Sequence, residues 1–144
     1  MTIILLSQFH GSSPDIGGNR ASQSVYEGLP SINQFIRIQI NSEGDSAENP
    51  AQKTIRVKGT FDFLTKIRET ACLCVNHSTI VLDGIYPALM APFLCFQRRK
   101  KKFKIIAIHH NDEWSLPRPF LPRLFFTLVQ IISSRISDYN IVFS

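Results

Sequence analysis

Long apolar runs are missing from this chain of 144 residues. No stretch approaches the roughly 18 residues a membrane span needs. The opening run, Ile3 to Leu6, is too short for a secretory h-region, has no basic flank and gives way at once to Ser7 and Gln8. Cysteine is sparse. Cys72, Cys74 and Cys95 form an odd set without the second pair a zinc site requires, and they read as buried thiols in a reducing compartment. The seven glycines make neither a G-x-G-x-x-G fingerprint nor a P-loop, and the chain carries no repeat and no low-complexity tract.

Acidic residues are absent from one place in particular. Arg98, Arg99, Lys100, Lys101, Lys102 and Lys104 follow one another without an acid among them. Set aside, they leave ten basic against eleven acidic residues, so the net charge of +5 belongs to one basic knot. The remaining composition, 44% hydrophobic and 19% charged, is that of a globular chain with material for one domain and its core.

What is present alternates between two kinds of apolar run. Ile3–Leu6, Thr79–Leu82, Ile105–Ile108 and Ile141–Phe143 are short, continuous and β-branched, the habit of parallel strands covered on both faces. Phe35–Ile40 and Thr54–Lys58 instead alternate apolar with polar, which places them nearer a sheet edge with one face wet.

Helical spacing fills the gaps. Ala21, Val25 and Leu29 recur at four before Pro30, and Leu64, Ile67, Ala71 and Cys74 form a second stripe that Thr60 or Asp62 can cap. A third helix begins near Pro87, with a kink or late start expected at Pro92. The fourth, about Pro122 to Ile136, is mostly apolar, with Arg123, Thr127, Gln130, Ser134 and Ser137 as a narrow polar stripe. Such a helix is expected to pack against more than its own sheet. Segment 41–52, polar with Gly44 and Pro50, reads as a solvated loop. Strand–helix alternation throughout predicts an α/β fold, a doubly wound, mostly parallel Rossmann-like sheet with helices on both faces.

Ligands of such sheets bind beyond the carboxyl ends of the strands, where strand order reverses. Three segments fall there: Gln8 to Gly18, Asp83 to Pro87 and His109 to Trp114. Gly17 and Gly18 before a helix either make a tight turn or let backbone N–H groups approach a phosphate. His109, leaving a buried strand, is expected to turn its ring to the cleft, where it can donate to a sugar hydroxyl or titrate near neutral pH; the other reading is a histidine bonded within a loop. His110 and Asp112 are not read as a metal pair, because the adjacent histidines His109 and His110 point opposite ways from an extended backbone and the ligand count is too low.

The opening I-I-L-L-S-Q-F and P-D-I-G-G-N-R, then V-L-D-G-I-Y-P-A-L, K-I-I-A-I-H-H and N-I-V-F-S, resemble in order and spacing the N-terminal domain of family 4 glycosyltransferases of the GT-B fold. The resemblance spans essentially residues 1–144 as one acceptor-side domain. It implies transfer of a sugar from a nucleotide-sugar donor, with retained configuration, to an acceptor that in many relatives is lipid-linked. It implies no cofactor and no metal.

By the same resemblance Gly17 and Gly18 line the cleft beside the donor diphosphate, and His109 contacts the transferred sugar as the catalytic residue. Asp83, Tyr86 and Asn111 face the acceptor. Two positions depart from the pattern: Ala107 stands where threonine is common, and Asp83-Gly84 replaces a histidine-containing pair. A second glycosyltransferase domain or subunit, which binds the nucleotide and stabilises the leaving diphosphate, is therefore an expected partner. The alternative is a non-catalytic half-domain that docks on a protein or membrane through the apolar face of Leu124 to Ile136.

The basic knot reads either as a solvated turn or as a contact for an anionic membrane surface through Arg98, Arg99, Lys100, Lys101 and Lys102. Nucleic acid is not an expected partner, because Phe96 and Phe103 flank the run and do not interleave it for stacking. The expected location is cytoplasmic, peripheral on the membrane face.

Overall fold

The computed structural model describes residues 2–8, 32–40, 52–110 and 119–143. Gly17, Gly18 and Asn111 lie outside them, as does the helix expected around Ala21 to Leu29.

Strand β1 (Ile3–Ser7) lies between β2 (Ile32–Ile40) and β4 (Thr79–Asp83) and is parallel to both. Strand β3 (Gln52–Val57) adds outside β2, β5 (Lys104–His110) outside β4, and β6 (Tyr139–Phe143) outside β5. The order is β3-β2-β1-β4-β5-β6, every pair parallel, a Rossmann-like sheet. The alternating segments occupy β3 at an edge and β2 next to it, as their pattern predicts, while the continuous runs β1 and β4 are buried at every residue.

The chain runs outward from β1 to β3, then returns through helix α1 (Thr60–Cys74) to β4 on the other side of β1. Two short helices, α2 (Ile85–Ala88) and α3 (Ala91–Gln97), lead to β5, with Pro92 in the first turn of α3. The interruption expected at Pro92 is thus a second helix start, where proline's missing N–H leaves no bond unmade. Helix α4 (Phe120–Ile136) joins β5 to β6.

The two-residue period of the strands sorts the core into two layers. Ile4, Leu6, Ile36, Ile38, Ile80, Leu82 and Ile105 face α1, α3 and the end of α4, packing on Phe63, Ile67, Ala71, Met90 and Leu94. Ile3, Leu5, Phe35, Val81 and Ile108 point to the opposite face.

Helix α1 departs from its expected stripe by one position. Phe63 is fully buried while Leu64 is exposed, so the inward face is Phe63, Ile67, Thr70, Ala71 and Cys74. Burial pushes the Cys74 thiol up to about 12, so it stays protonated. Neither Thr60 nor Asp62 caps this helix as expected, for the cap position is Gly59. Asp62, in the first turn, reaches back instead. Its Oδ2 accepts the Lys58 N–H at 2.9 Å and Lys66 Nζ at 3.2 Å. These bonds, the Lys58 N–H first, hold its carboxyl below its ordinary 3.8.

Helix α4 is turned the other way. It buries Val129, Gln130 and Ser133, with Thr127, Ser134 and Ser137 half-buried beside them. Its outward side shows Leu121, Leu124, Leu128 and Ile131 at spacings of three and four, with Phe120, Phe125 and Ile132 alongside, all exposed. Of the polar stripe read from the sequence, Thr127, Gln130, Ser134 and Ser137 face the fold, while Arg123 in the first turn is exposed. Beyond the helix, Tyr139, Ile141 and Val142 leave both faces of β6 exposed at the sheet edge.

Candidate functional site

Strand order reverses between β1 and β4, and the strand register assembles a polar row there. Arg37 of β2 lies opposite Ser7, Ser7 opposite Asp83, and Asp83 opposite Ile108. Two residues beyond Ile108, and therefore on the same face, stands His110. Three neighbouring strands thus end in Ser7, Asp83 and His110 on one face, with Arg37 of β2 beside Ser7 on the same face, and burial lowers the Arg37 guanidinium from its ordinary value.

The last three are linked. Ser7 Oγ donates to Asp83 Oδ2 at 2.8 Å, and His110 Nε2 shares a 2.5 Å hydrogen bond with Asp83 Oδ1. Ser7 and Asp83 are fully buried and His110 nearly so. Pairing of this kind is what makes a buried carboxyl tolerable. The order of the three groups decides their chemistry. In a nucleophilic triad the histidine stands between serine and acid and takes the serine's proton. Here the acid stands in the middle, so Ser7 has no base beside it in this row. The row braces the strand ends that carry the crevice loops.

A second brace crosses the reversal point. The Gln8 N–H donates to the Asp83 carbonyl at 3.3 Å, and Gln8 Oε1 accepts the Tyr86 N–H at 2.8 Å. Gly84 between them has φ 102°, a backbone conformation that a side chain would strain, and it turns the chain from β4 into α2. Asp83 and Tyr86 thus flank the turn at the reversal point, Asp83 with its carboxyl fully buried. The Tyr86 ring, however, leans edge-on against core Phe63 with centroids 5.5 Å apart.

The histidines divide as extended backbone requires, His110 to the face of Ser7 and Asp83 and His109 to the other. His109 turns to the α4 side, where its Nε2 lies 3.0 Å from Ser134 Oγ and 3.2 Å from Asn140 Oδ1. Asn140 Nδ2 donates to the Ser134 carbonyl at 3.0 Å, which orients the amide so that Oδ1 faces the ring. An amide oxygen only accepts, so His109 Nε2 carries the proton and Nδ1 is the acceptor of the neutral ring. The residue bonded to Asp83 is His110. No spacing in the sequence singled it out: the residue that follows Ile105–Ile108 as Ser7 and Asp83 follow their own runs is His109.

The basic knot lies at the opposite end of the sheet, between α3 and the start of β5. Arg98 pairs with Asp138, whose Oδ2 also accepts the Ile105 N–H at 2.8 Å and so pins the start of β6 to β5. Lys101 Nζ donates to Asn76 Oδ1 at 2.8 Å, and Arg99 stacks over exposed Phe96 at 5.3 Å. Arg98, Lys102 and Lys104 line an open cleft of about 430 Å³ with Ser78, Thr79, Phe103 and Asp138. Among the described residues no three His, Cys, Asp or Glu side chains group as a metal site.

Sheet order and reversal point define the class, a Rossmann-like α/β domain. Among solved structures the chain is similar to a mutated uronate dehydrogenase, at 14% identity and a TM-score of 0.50, over 94% of this chain and 52% of the other. The chain thus spans about half the length of that structure. At this identity the likeness is one of fold. No family model and no curated protein sequence matches the chain.

Proposed function

We propose that this chain is the acceptor-side half of a nucleotide-sugar-dependent glycosyltransferase, in which Gly17 and Gly18 meet the donor diphosphate and a second domain holds the nucleoside. The observation that carries the reading is the braced reversal point. Ser7, Asp83 and His110 lock the ends of β1, β4 and β5, the three strands whose following segments resemble the transferase motifs. Open parallel sheets bind ligands at this position.

In this reading Asp83 and His110 are positioning residues, since both are buried and bonded to each other. His109, only partly buried and with its Nε2 held by Ser134 and Asn140, is the group that contacts the transferred sugar through a fixed tautomer. Gly17 and Gly18 approach the diphosphate and Asn111 the acceptor, with Tyr86 beside it. The proposed chemistry is sugar transfer with retained configuration and without a metal. Stabilising the leaving diphosphate falls to the second domain.

Thermal unfolding of the chain with millimolar nucleoside diphosphate sugars, set against NAD+ and NADP+, tests the reading. Ligand that binds only the folded state raises its stability, by about 2.7 kcal/mol at a hundredfold excess over Kd. The expected result is a higher Tm with one or more sugar nucleotides and no change with either dinucleotide. A rise with the dinucleotides alone, or with neither group, overturns it.

A further inference from the structure

We propose that the outward face of α4, together with the basic knot beside it, is a docking surface for an anionic lipid bilayer. This stands independently of the sugar-transfer reading. The first observation is the inverted helix. Over its 17 residues α4 buries Gln130 and Ser133, with Thr127 and Ser134 half-buried, and turns Leu121, Leu124, Leu128 and Ile131 outward. Phe120 and Leu121, at its start, are 75% and 74% exposed. A helix lying in a membrane interface presents an apolar face of this kind, with cations near the headgroups.

The second observation is charge. From Ala91 to His110 and from Pro119 to Phe143 the only acid is Asp138, and Arg98 pairs with it. The same segments carry the six cations of the knot together with Arg123 and Arg135. The knot is fixed to this side of the molecule. Arg98 reaches Asp138 just past α4, Lys104 lies 5.9 Å from the Tyr139 ring centre, and α3, which leads into the knot, neighbours α4. Phe96, 68% exposed beneath Arg99, extends the apolar surface to α3. The cleft between Arg98, Lys102 and Lys104 can receive a headgroup phosphate.

Charge also selects among occupants. A second copy facing this surface would bring two basic knots together, whereas anionic headgroups neutralise them. Among the described residues no helix is long and apolar enough to cross a membrane, and α4 would lie along the interface.

The experiment is co-sedimentation of the 144-residue chain with vesicles of phosphatidylcholine and phosphatidylserine in equal parts, against phosphatidylcholine alone. Binding to the mixed vesicles and little to the neutral ones is expected. Lys100→Gln and Lys102→Gln should each weaken it about fivefold, the factor that roughly 1 kcal/mol per cation represents. Leu124→Gln with Leu128→Gln, both at exposed positions, should abolish most of the rest. A fluorescence readout, with the native indole removed by Trp114→Phe, separates lost insertion from lost folding: Leu128→Trp emission should shift to the blue on mixed vesicles, and Lys53→Trp, on the far edge strand, should not. The proposal is overturned by absence of binding to mixed vesicles, by binding indifferent to the leucine changes, or by a Leu128→Trp shift that follows self-association without lipid.

Discussion

Helices α1 and α4 cover the same face of one sheet and present opposite sides to it. Helix α1 buries Phe63, Ile67, Ala71 and Cys74 and leaves charged residues such as Arg68 and Glu69 outside. Helix α4 buries Gln130 and Ser133 and leaves Leu124, Leu128 and Ile131 outside. Periodicity tells which residues share a face in both. It does not tell which face turns inward, because that depends on what each face meets in the assembled protein. The first helix satisfies itself within this domain; the second carries apolar surface that the domain does not consume.

Substitutions should expose the difference, and the largest effect belongs to α1. Phe63→Ala empties a fully buried site and should cost about 3–5 kcal/mol in chemical denaturation. Leu128→Ala on the exposed face of α4 should stay within about 0.5 kcal/mol. Equal losses would mean that α4 is packed like α1. Next comes the polar row, which offers burial without apolar contact. Ser7→Ala removes the Ser7 Oγ bond to Asp83 Oδ2 and should cost about 1–3 kcal/mol by the same measurement.

The smallest effect lies at the start of α1. The Asp62 carboxyl is held below its ordinary value by the Lys58 N–H and by Lys66, so its contribution is present above the unfolded value, 3.8, and is lost as pH falls through the lower folded value. Asp62→Asn should therefore reduce Tm slightly at neutral pH and leave it unchanged in strong acid. A deficit that persists in acid would assign Asp62 a role other than its charge.

Much of the fold was legible in the residues. Continuous β-branched runs gave β1 and β4 at the centre, alternation gave β2 and β3 towards an edge, and Pro92 gave the break between α2 and α3. The site was legible in part. Asp83 and Tyr86 were singled out by their place after a buried strand, and they flank the turn at the reversal point, Asp83 buried and bonded to Ser7 and His110. The role of His110 was missed because it depends on register: only the pairing of Asp83 with Ile108 brings the carboxyl and the second histidine onto one face. The turn of His109 towards Ser134 and Asn140 depends on α4 and β6, more than twenty residues further along. Leu64 was assigned inward because it stands at helical spacing, three residues before Ile67, yet Phe63 fills the same layer with a larger side chain.

The most direct measurement is the solvent access of the two sides of α4, through thiol modification of Leu128→Cys and Ser133→Cys in the folded chain, with Cys72 and Cys95 replaced by serine. The account predicts that Leu128→Cys reacts at close to the rate of an exposed thiol while Ser133→Cys is protected until the chain unfolds. Protection of Leu128→Cys together with rapid reaction of Ser133→Cys would contradict it, and would return α4 to the ordinary orientation that α1 adopts.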